Sequence, residues 1–341
     1  MRALLLALMP GAALAQCDPA PPPVVTLAFD SRYEAGDATR SEIVEAAEAA
    51  AEAALEPVDD FIRALATDAN RALQDLAEDK PERARERAAC VAAQAAEWAR
   101  AGALGDLASP TARLTVGARL AGLALVLLQA EAAGAAGEDM DEAAAWLRGL
   151  QRDQAAFWES EAPEGARRGN LRAWAGLAGV AVGRLAGDGA LRDAGARDLA
   201  FVACTAAPDG SLPREMERGR LALGYQLHAL SALVPGALLL QGDGVRLLDA
   251  CDGALDRAVA FAAADIAAEG TLSAALAGAP SSLFDGGDAL RGFDLAWAEA
   301  YGRLEGARHR AVIEALAAPF RPLASSKLGG DQGRVWDALG R

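Results

Sequence analysis

Apolar residues recur along most of the chain at intervals of three and four, the spacing typical of amphipathic helices. The segment 111–133 is apolar on nearly all sides, so we predict a central buried helix there. No stretch alternates apolar and polar positions with β-branched side chains, so the pattern does not predict a sheet. After Pro57, the residues that share one helical face are Val58, Phe61, Ile62 and Leu65.

This pattern predicts about ten helices joined by short polar or glycine-rich loops. The first begins after Ser41, whose hydroxyl can cap it, and another begins after Pro57. An all-α fold follows, either an α/α toroid or a helical array, and periodicity does not choose between them. The remaining helices are predicted over residues 82–101, 111–133, 141–157, 171–186, 190–206, 216–233, 244–268, 288–304 and 306–317.

The N-terminus has the pattern of an export signal. Arg2 precedes the apolar run 3–14, and Ala13-Leu14-Ala15 has the small residues of a cleavage site. We therefore predict a signal peptide over residues 1–15 and a periplasmic location. Residues 16–40 contain consecutive prolines, which exclude helix, so we expect an extended leader and a loop there. Residues 41–341 then form one helical domain.

Four cysteines suit an oxidising compartment. We favour a Cys17–Cys90 disulfide, because it would fasten the proline-rich leader to the helical core. Cys204 and Cys251 remain as a second pair, and the sequence does not decide whether they form a disulfide. The chain has only two histidines and no Cys/His spacing typical of a zinc site, so we expect no metal and no organic cofactor.

The formal net charge of −15 disfavours binding to nucleic acid or to anionic membranes. Beyond the export signal no segment reads as a membrane span, so we expect no membrane insertion, and we expect a monomer. An anionic polymer would also be repelled at long range. Arginines concentrated in a cleft would have to overcome that repulsion.

The segment from Arg218 to His228 carries the most informative chemistry, because tyrosine occurs only three times in the chain. On one continuous helix Arg218 and Tyr225, seven residues apart, would share a face about 10 Å apart along the axis, with His228 near the same stripe. A guanidinium that neutralises a carboxylate and a phenol that transfers protons suit β-elimination of a uronate polymer. The alternative is an exposed arginine and a core tyrosine.

A second group surrounds Asn170, which lies at a predicted helix start with several arginines close by. A helix N-terminus presents free backbone N–H groups to anions. By itself this segment is better explained by a capping asparagine, solvated arginines such as Arg172 and a core Trp174.

Four segments, in order along the chain, form a recognisable set: CDPAPPP at 17–23 with SRYE at 31–34, Cys90 with WARAGAL at 98–104, NLRAW at 170–174, and GSLPRE at 210–215 continued through Arg218 to Tyr225. In these segments the chain resembles the alginate lyase family of bacterial poly(mannuronate) lyases. The resemblance implies an incomplete α/α toroid and a periplasmic polysaccharide lyase acting on mannuronate-type alginate or a related exopolysaccharide, and it supports the Cys17–Cys90 pairing.

The resemblance also implies roles for individual residues. Asn170 and Arg218 would neutralise the substrate carboxylate, and Tyr225 would be the catalytic acid and base. Arg32 and Tyr33 would belong to a mobile loop that covers the bound chain. Further substrate contacts are expected from Arg172, Trp174 and His228.

One position departs from the family, because Leu171 stands where a histidine is expected and leucine cannot transfer a proton. In a syn elimination, as on mannuronate, Tyr225 could serve both steps alone. His228 could instead transfer the proton in place of the missing histidine. In a third interpretation the protein has lost catalysis and only binds polysaccharide. An elimination that needs a base on the opposite face, as on guluronate, should be poor.

A glycoside hydrolase is a further alternative, since such enzymes use paired carboxylates. Its acids could be drawn from Asp209, Asp285 or Glu299. With 48 acidic residues in the chain, such pairs arise easily by chance.

Overall fold

The computed structural model describes residues 17–340 of the chain, and the predicted signal peptide, residues 1–15, lies outside them. The described part is predominantly helical, as predicted. Its long helices are α1 (Glu45–Ala77), α2 (Pro81–Arg100), α4 (Gly117–Ala132), α5 (Glu138–Ser160), α6 (Asn170–Leu185), α7 (Gly189–Ala203), α9 (Ala222–Gly242) and α10 (Ala254–Ala267). Shorter helices are α3 (Pro110–Thr115), α8 (Pro213–Met216), α11 (Thr271–Ala277), α12 (Ala298–Arg303), α13 (Arg310–Ala317) and α14 (Gln332–Leu339).

Short 3-10 turns and strands complete the described chain. Strand β1 (Thr26–Leu27) pairs in parallel with β2 (Asp106–Leu107), which attaches the leader to the loop after α2. Near the C-terminus β3 (Ala324–Ser325) pairs antiparallel with β4 (Gly330–Asp331). The 3-10 turns are Gly219–Leu221, Leu247–Asp252, Gly292–Leu295, Ala318–Phe320 and Ser326–Leu328.

The core is built around α4 and α6. Every residue of α4 from Gly117 to Ala130 is buried, which confirms the predicted central helix. Helix α6 packs against α4, α7 and α9. Its contact with α7 is close because Gly195 has no side chain, and a Cβ there would lie 2.5 Å from the carbonyl oxygen of Gly176.

Two predicted features of the first helix are wrong. Helix α1 runs unbroken through Pro57. Proline has no backbone N–H, so the carbonyl of Ala53 loses its helical hydrogen bond. Because Ala53 and Pro57 are both exposed, water can bind that carbonyl instead. Ser41 does not cap this helix, which begins at Glu45 after Val44. The backbone N–H of Ser41 instead donates to Asp37 at 2.7 Å, inside the preceding loop.

Other boundaries also differ from the prediction. The predicted helix 111–133 is divided at Val116 into α3 and α4. The predicted helix 216–233 is interrupted at Gly219, where φ is +52°, and then continues to Gly242. Three short helices were missed, namely α8, α11 and α14. The predicted helices at 244–268 and 288–304 each begin with a 3-10 turn, which is followed by a shorter α-helix, α10 and α12 respectively.

Both possible disulfides are formed. Cys17 pairs with Cys90 and Cys204 pairs with Cys251, with Cα–Cα distances of 5.2 and 5.5 Å. The first holds the leader against α2, where the indole N–H of Trp98 also donates to the carbonyl of Pro21 at 2.9 Å. Two disulfides fit a location outside the cytoplasm.

Within residues 17–340 one helix, Gly219–Gly242, has the length and composition of a membrane span, and the helices α10 and α11 reach them only if taken together across a bend of 107°. The most apolar window of Gly219–Gly242 is 83% buried inside the protein, as is expected for the core helix of a globular domain.

Candidate active site

Two phenols meet where the leader loop crosses the start of α9. Tyr225 lies in the first turn of α9, Tyr33 lies in the loop before α1, and their hydroxyl groups are in direct contact. The guanidinium of Arg32 donates to both, through Nη2 to Tyr225 and Nε to Tyr33, each at 3.2 Å. Glu48 of α1 holds Arg32 in place at 2.9 Å. Both tyrosines remain partly exposed, so the pair can meet a ligand.

Arg218 lies directly against this pair. Its guanidinium carbon is 3.8 Å from the centre of the Tyr225 ring and 5.0 Å from that of Tyr33. Two turns of continuous helix were predicted to separate Arg218 from Tyr225, which is wrong, because the bend at Gly219 folds the guanidinium onto the ring. Arg218 also donates to the carbonyls of Thr39 and Arg40, at 3.0 and 2.8 Å, and so fixes the leader loop.

The electrostatics of the pair favour one ionised phenol. Burial raises the pKa of Tyr225, but the neighbouring cations Arg218 and Arg32 outweigh it, so the pKa is lowered below its ordinary value of 10.0. Burial and the neighbouring Tyr225 raise the pKa of Tyr33. Tyr225 is therefore the phenol that ionises first.

Asn170, the first residue of α6, is held by a buried carboxylate. Glu215 of α8 accepts from the Asn170 backbone N–H at 2.7 Å and from its Nδ2 at 2.9 Å. Asn170 is 3% exposed and Glu215 is 1% exposed. Burial raises the pKa of Glu215 to about 6, opposed by its hydrogen bonds to Asn170 and by Arg218. Because an ionised carboxylate only accepts hydrogen bonds, it fixes the orientation of the amide.

His228 and Trp174 lie behind Asn170. Nδ1 of His228 is 3.1 Å from Oδ1 of Asn170 and 3.2 Å from the indole N–H of Trp174. These contacts require opposite tautomers of the imidazole, so only one of them is a hydrogen bond at a time. Burial, followed by the charges of Lys327 and Arg32, lowers the pKa of His228 to about 3, and the ring is neutral at physiological pH.

A cavity of about 260 Å³ opens beside this group. Leu171 is partly exposed on its wall and places no titratable group there. Arginines bring positive charge to the cavity in a chain that is acidic overall. The polar and charged residues that line the cavity, together with Leu171, are Arg40, Asn170, Arg214, Glu215 and Arg218.

The structure thus brings together Arg32, Tyr33, Asn170, Trp174, Arg218, Tyr225 and His228. Arg172 is not among them, because it is ion-paired with Asp198 at 2.7 Å and lies over the ring of Phe201. The acids considered for hydrolysis are separately engaged: Asp209 with Ser211, Asp285 with Arg220, and Glu299 with Arg303. Among residues 17–340, no group of three or more His, Cys, Asp or Glu side chains is placed to hold a metal ion.

Sequence analysis missed Glu215 as a site residue. Its carboxylate predicts a pH dependence of activity that can be tested. The carboxylate that orients Asn170 forms as pH rises through about 6, so we expect kcat/KM on a uronate polymer to rise there. Glu215→Gln should lower kcat/KM by about tenfold and remove this step, because a glutamine side chain has one acceptor oxygen and cannot accept from both the backbone N–H and the Nδ2 of Asn170. Rates measured between pH 5 and 8 check this.

Glu142→Gln is the matched control, since Glu142 pairs with Arg100 at the surface and neither residue lines the cavity. It should keep the wild-type profile. A pH step that persists in Glu215→Gln would rule out this origin.

Comparison with solved structures first defines the class of fold. A histidine-to-alanine variant of alginate lyase A1-III complexed with a tetrasaccharide covers 96% of this chain and 88% of its own, with TM-score 0.76 and 21% identity. A tyrosine-to-phenylalanine variant complexed with tetrasaccharide has TM-score 0.77, with 21% identity and 96% and 88% coverage. The enzyme from Sphingomonas species A1 has TM-score 0.70, with 19% identity and 95% and 86% coverage. This chain is therefore an α/α toroid, as predicted.

The sequence comparisons define the family. The family model for alginate lyases matches residues 28–272, most of the chain, and the protein belongs to the alginate lyase family. A protein of Stenotrophomonas maltophilia (strain K279a) described as a polysaccharide lyase is 37% identical over 112 residues. That match spans about a third of each protein, 33% of this chain and 33% of the relative.

Proposed function

We propose that the protein cleaves a uronate polymer by β-elimination, with mannuronate-type alginate or a related exopolysaccharide as its substrate. The observation that carries this is the partly exposed phenol of Tyr225, which contacts the guanidinium groups of both Arg218 and Arg32. Membership of the alginate lyase family supports the lyase class.

The reaction starts with the carboxylate of the bound uronate. Arg218 and Asn170, which border the same cavity, bind it and neutralise its charge, which makes the adjacent C5 proton acidic. The Tyr225 phenolate takes that proton. The C5 electron pair forms the C4–C5 double bond as the C4–O bond breaks, and the new Tyr225 phenol gives its proton to the departing oxygen.

One residue can serve both steps only if proton and leaving group lie on the same face of the sugar, as in mannuronate. This explains how the site can work with Leu171 in place of a histidine. It also explains the expected preference for mannuronate over guluronate, whose elimination needs a base on the other face.

Leu171→His should therefore increase cleavage of polyguluronate by about tenfold or more, because it adds a proton acceptor to the cavity wall beside Asn170. Initial rates on polyguluronate and polymannuronate measure the change in preference. Leu114→His is the control, since Leu114 lines the same cavity from α3. Equal polyguluronate rates in wild type and Leu171→His would contradict this account of specificity.

The second candidate is a non-catalytic polysaccharide-binding protein of exopolysaccharide export, favoured by the aliphatic Leu171. Incubation with a panel of polyuronates separates the classes. A lyase produces a conjugated unsaturated uronate that absorbs ultraviolet light, a hydrolase produces only new reducing ends, and a binding protein produces neither. We expect the absorbing product, formed most rapidly from polymannuronate.

We place this activity in the periplasm, with residues 1–15 as the signal peptide, 16–40 as leader and loop, and 41–341 as the catalytic domain. The two disulfides support a compartment outside the cytoplasm. Detection of mature protein that lacks residues 1–15 in a periplasmic extract tests this placement.

A further inference from the structure

A second group of charges lies on the α1 and α4 side of the tyrosine pair. Arg119 of α4 donates to Asp59 of α1 at 2.7 Å. Arg119 is only 5% exposed, yet its Nε has no hydrogen-bond partner, and Oδ1 of Asp59 has none either. Lys327, on the 3-10 turn Ser326–Leu328, is close enough for Arg119, Asp59 and Arg32 to influence its ionisation. Within residues 17–340 its ammonium group has no hydrogen-bond or ion-pair partner.

The turn that carries Lys327 is fixed by buried polar contacts. Nδ2 of Asn70 and Nε2 of Gln129 both donate to the carbonyl of Gly329, each at 3.0 Å. The backbone of the turn lies directly on α4, since a Cβ on Gly122 would be 3.2 Å from Cα of Lys327. The side chain is therefore presented from a rigid support, as a binding group requires.

The charges here do not balance. Lys327 and Arg119 are two cations beside the single carboxylate of Asp59, and the nearby Arg32 is already paired with Glu48. Burial, and then the charge of Arg119, lower the pKa of Lys327 to about 8. A partly buried ammonium without a partner is unfavourable, and an anionic ligand would relieve that cost. Lys327 is also the neighbouring charge with the largest effect on the pKa of His228, whose ring centre is 6.2 Å from that of Tyr225.

We propose that Lys327, supported by Arg119, binds the carboxylate of the uronate adjacent to the one held by Arg218 and Asn170. This inference rests on the proposed uronate substrate. Arg218 lines the cavity and lies over the face of the Tyr225 ring, whereas Arg32 contacts the Tyr225 hydroxyl group and the turn that carries Lys327 packs against α1 and α4. Consecutive uronates each carry one carboxylate, and a chain that passes Tyr225 would bring one to each group.

The test measures binding apart from cleavage, in the Tyr225→Phe background. Calorimetric titration at pH 7 compares a mannuronate tetrasaccharide with its carboxyl-reduced, neutral form. Adding Lys327→Met should weaken binding of the acidic tetrasaccharide by about tenfold and leave the neutral form unaffected, whereas Lys327→Arg should keep most of the affinity. Circular dichroism confirms that each variant is folded.

Lys80→Met is the matched control, because Lys80 is the chain's second lysine and pairs with Glu78 at the surface. It should bind like its parent. Unchanged affinity for the acidic tetrasaccharide in folded Lys327→Met would overturn the subsite, even if wild-type protein forms unsaturated product. Weakened affinity without any unsaturated product from wild type would uphold the subsite and refute the elimination.

Discussion

Tyr225→Phe should lower kcat on polymannuronate by about 10³-fold or more, because one oxygen atom both accepts the C5 proton and returns it to the leaving group. KM should change only a few-fold, since Arg218 and Asn170 still hold the carboxylate. Ultraviolet absorbance of the unsaturated product measures the rate, and circular dichroism should show an intact helical fold.

Two other tyrosines provide controls for this variant. Tyr33→Phe removes the hydroxyl in contact with Tyr225 and should slow the reaction by about tenfold, through the proton transfer it assists. Tyr301→Phe should leave the activity of folded protein unchanged, because that phenol is buried against Asp256 on α10. A Tyr225→Phe rate within threefold of wild type would remove the tyrosine from the mechanism.

Arg218→Ala should lower kcat/KM by about 10²- to 10³-fold, since it removes the cation that neutralises the uronate carboxylate. It should also shift the pH profile upward. The phenolate is the active base, so activity rises with pH through the Tyr225 pKa, and that pKa increases when Arg218 is lost. Rates across a pH series measure both effects.

Arg218→Lys should fall between wild type and Arg218→Ala, because it keeps the charge but not the paired contacts to the carbonyls of Thr39 and Arg40. Arg220→Ala is the control, since Arg220 pairs with Asp285 at the surface. If Arg220→Ala and Arg218→Ala lost activity equally, the loss would reflect general charge and not a specific contact.

The helical class and most helices could be predicted because apolar periodicity records which face each helix buries. Helix α2 was predicted over 82–101 and is found at Pro81–Arg100. The boundaries that failed depend on tertiary surroundings. Pro57 is accommodated within α1 because its turn faces water, and the turn at Gly219 interrupts the helix expected from residue 216.

The candidate site could be predicted only in part. Arg218, Tyr225 and Asn170 belong to segments with a recognisable pattern, and the structure brings them together. Arg172 shares the segment of Asn170 but points to Asp198 of α7, a partner that local sequence does not reveal. Lys327 lies in a polar stretch typical of an exposed tail, and its partial burial comes from the packing of its turn against α1 and α4, which are far away in sequence.

The most direct test of the central claim is a spectrophotometric titration of the protein's three tyrosines, Tyr33, Tyr225 and Tyr301. Burial raises the pKa of Tyr33 and Tyr301, whereas Arg218 and Arg32 lower that of Tyr225. We predict that one tyrosine ionises below pH 10 and two above it, and that Tyr225→Phe abolishes the first transition. A wild-type protein in which no tyrosine ionises below pH 10 would contradict the account.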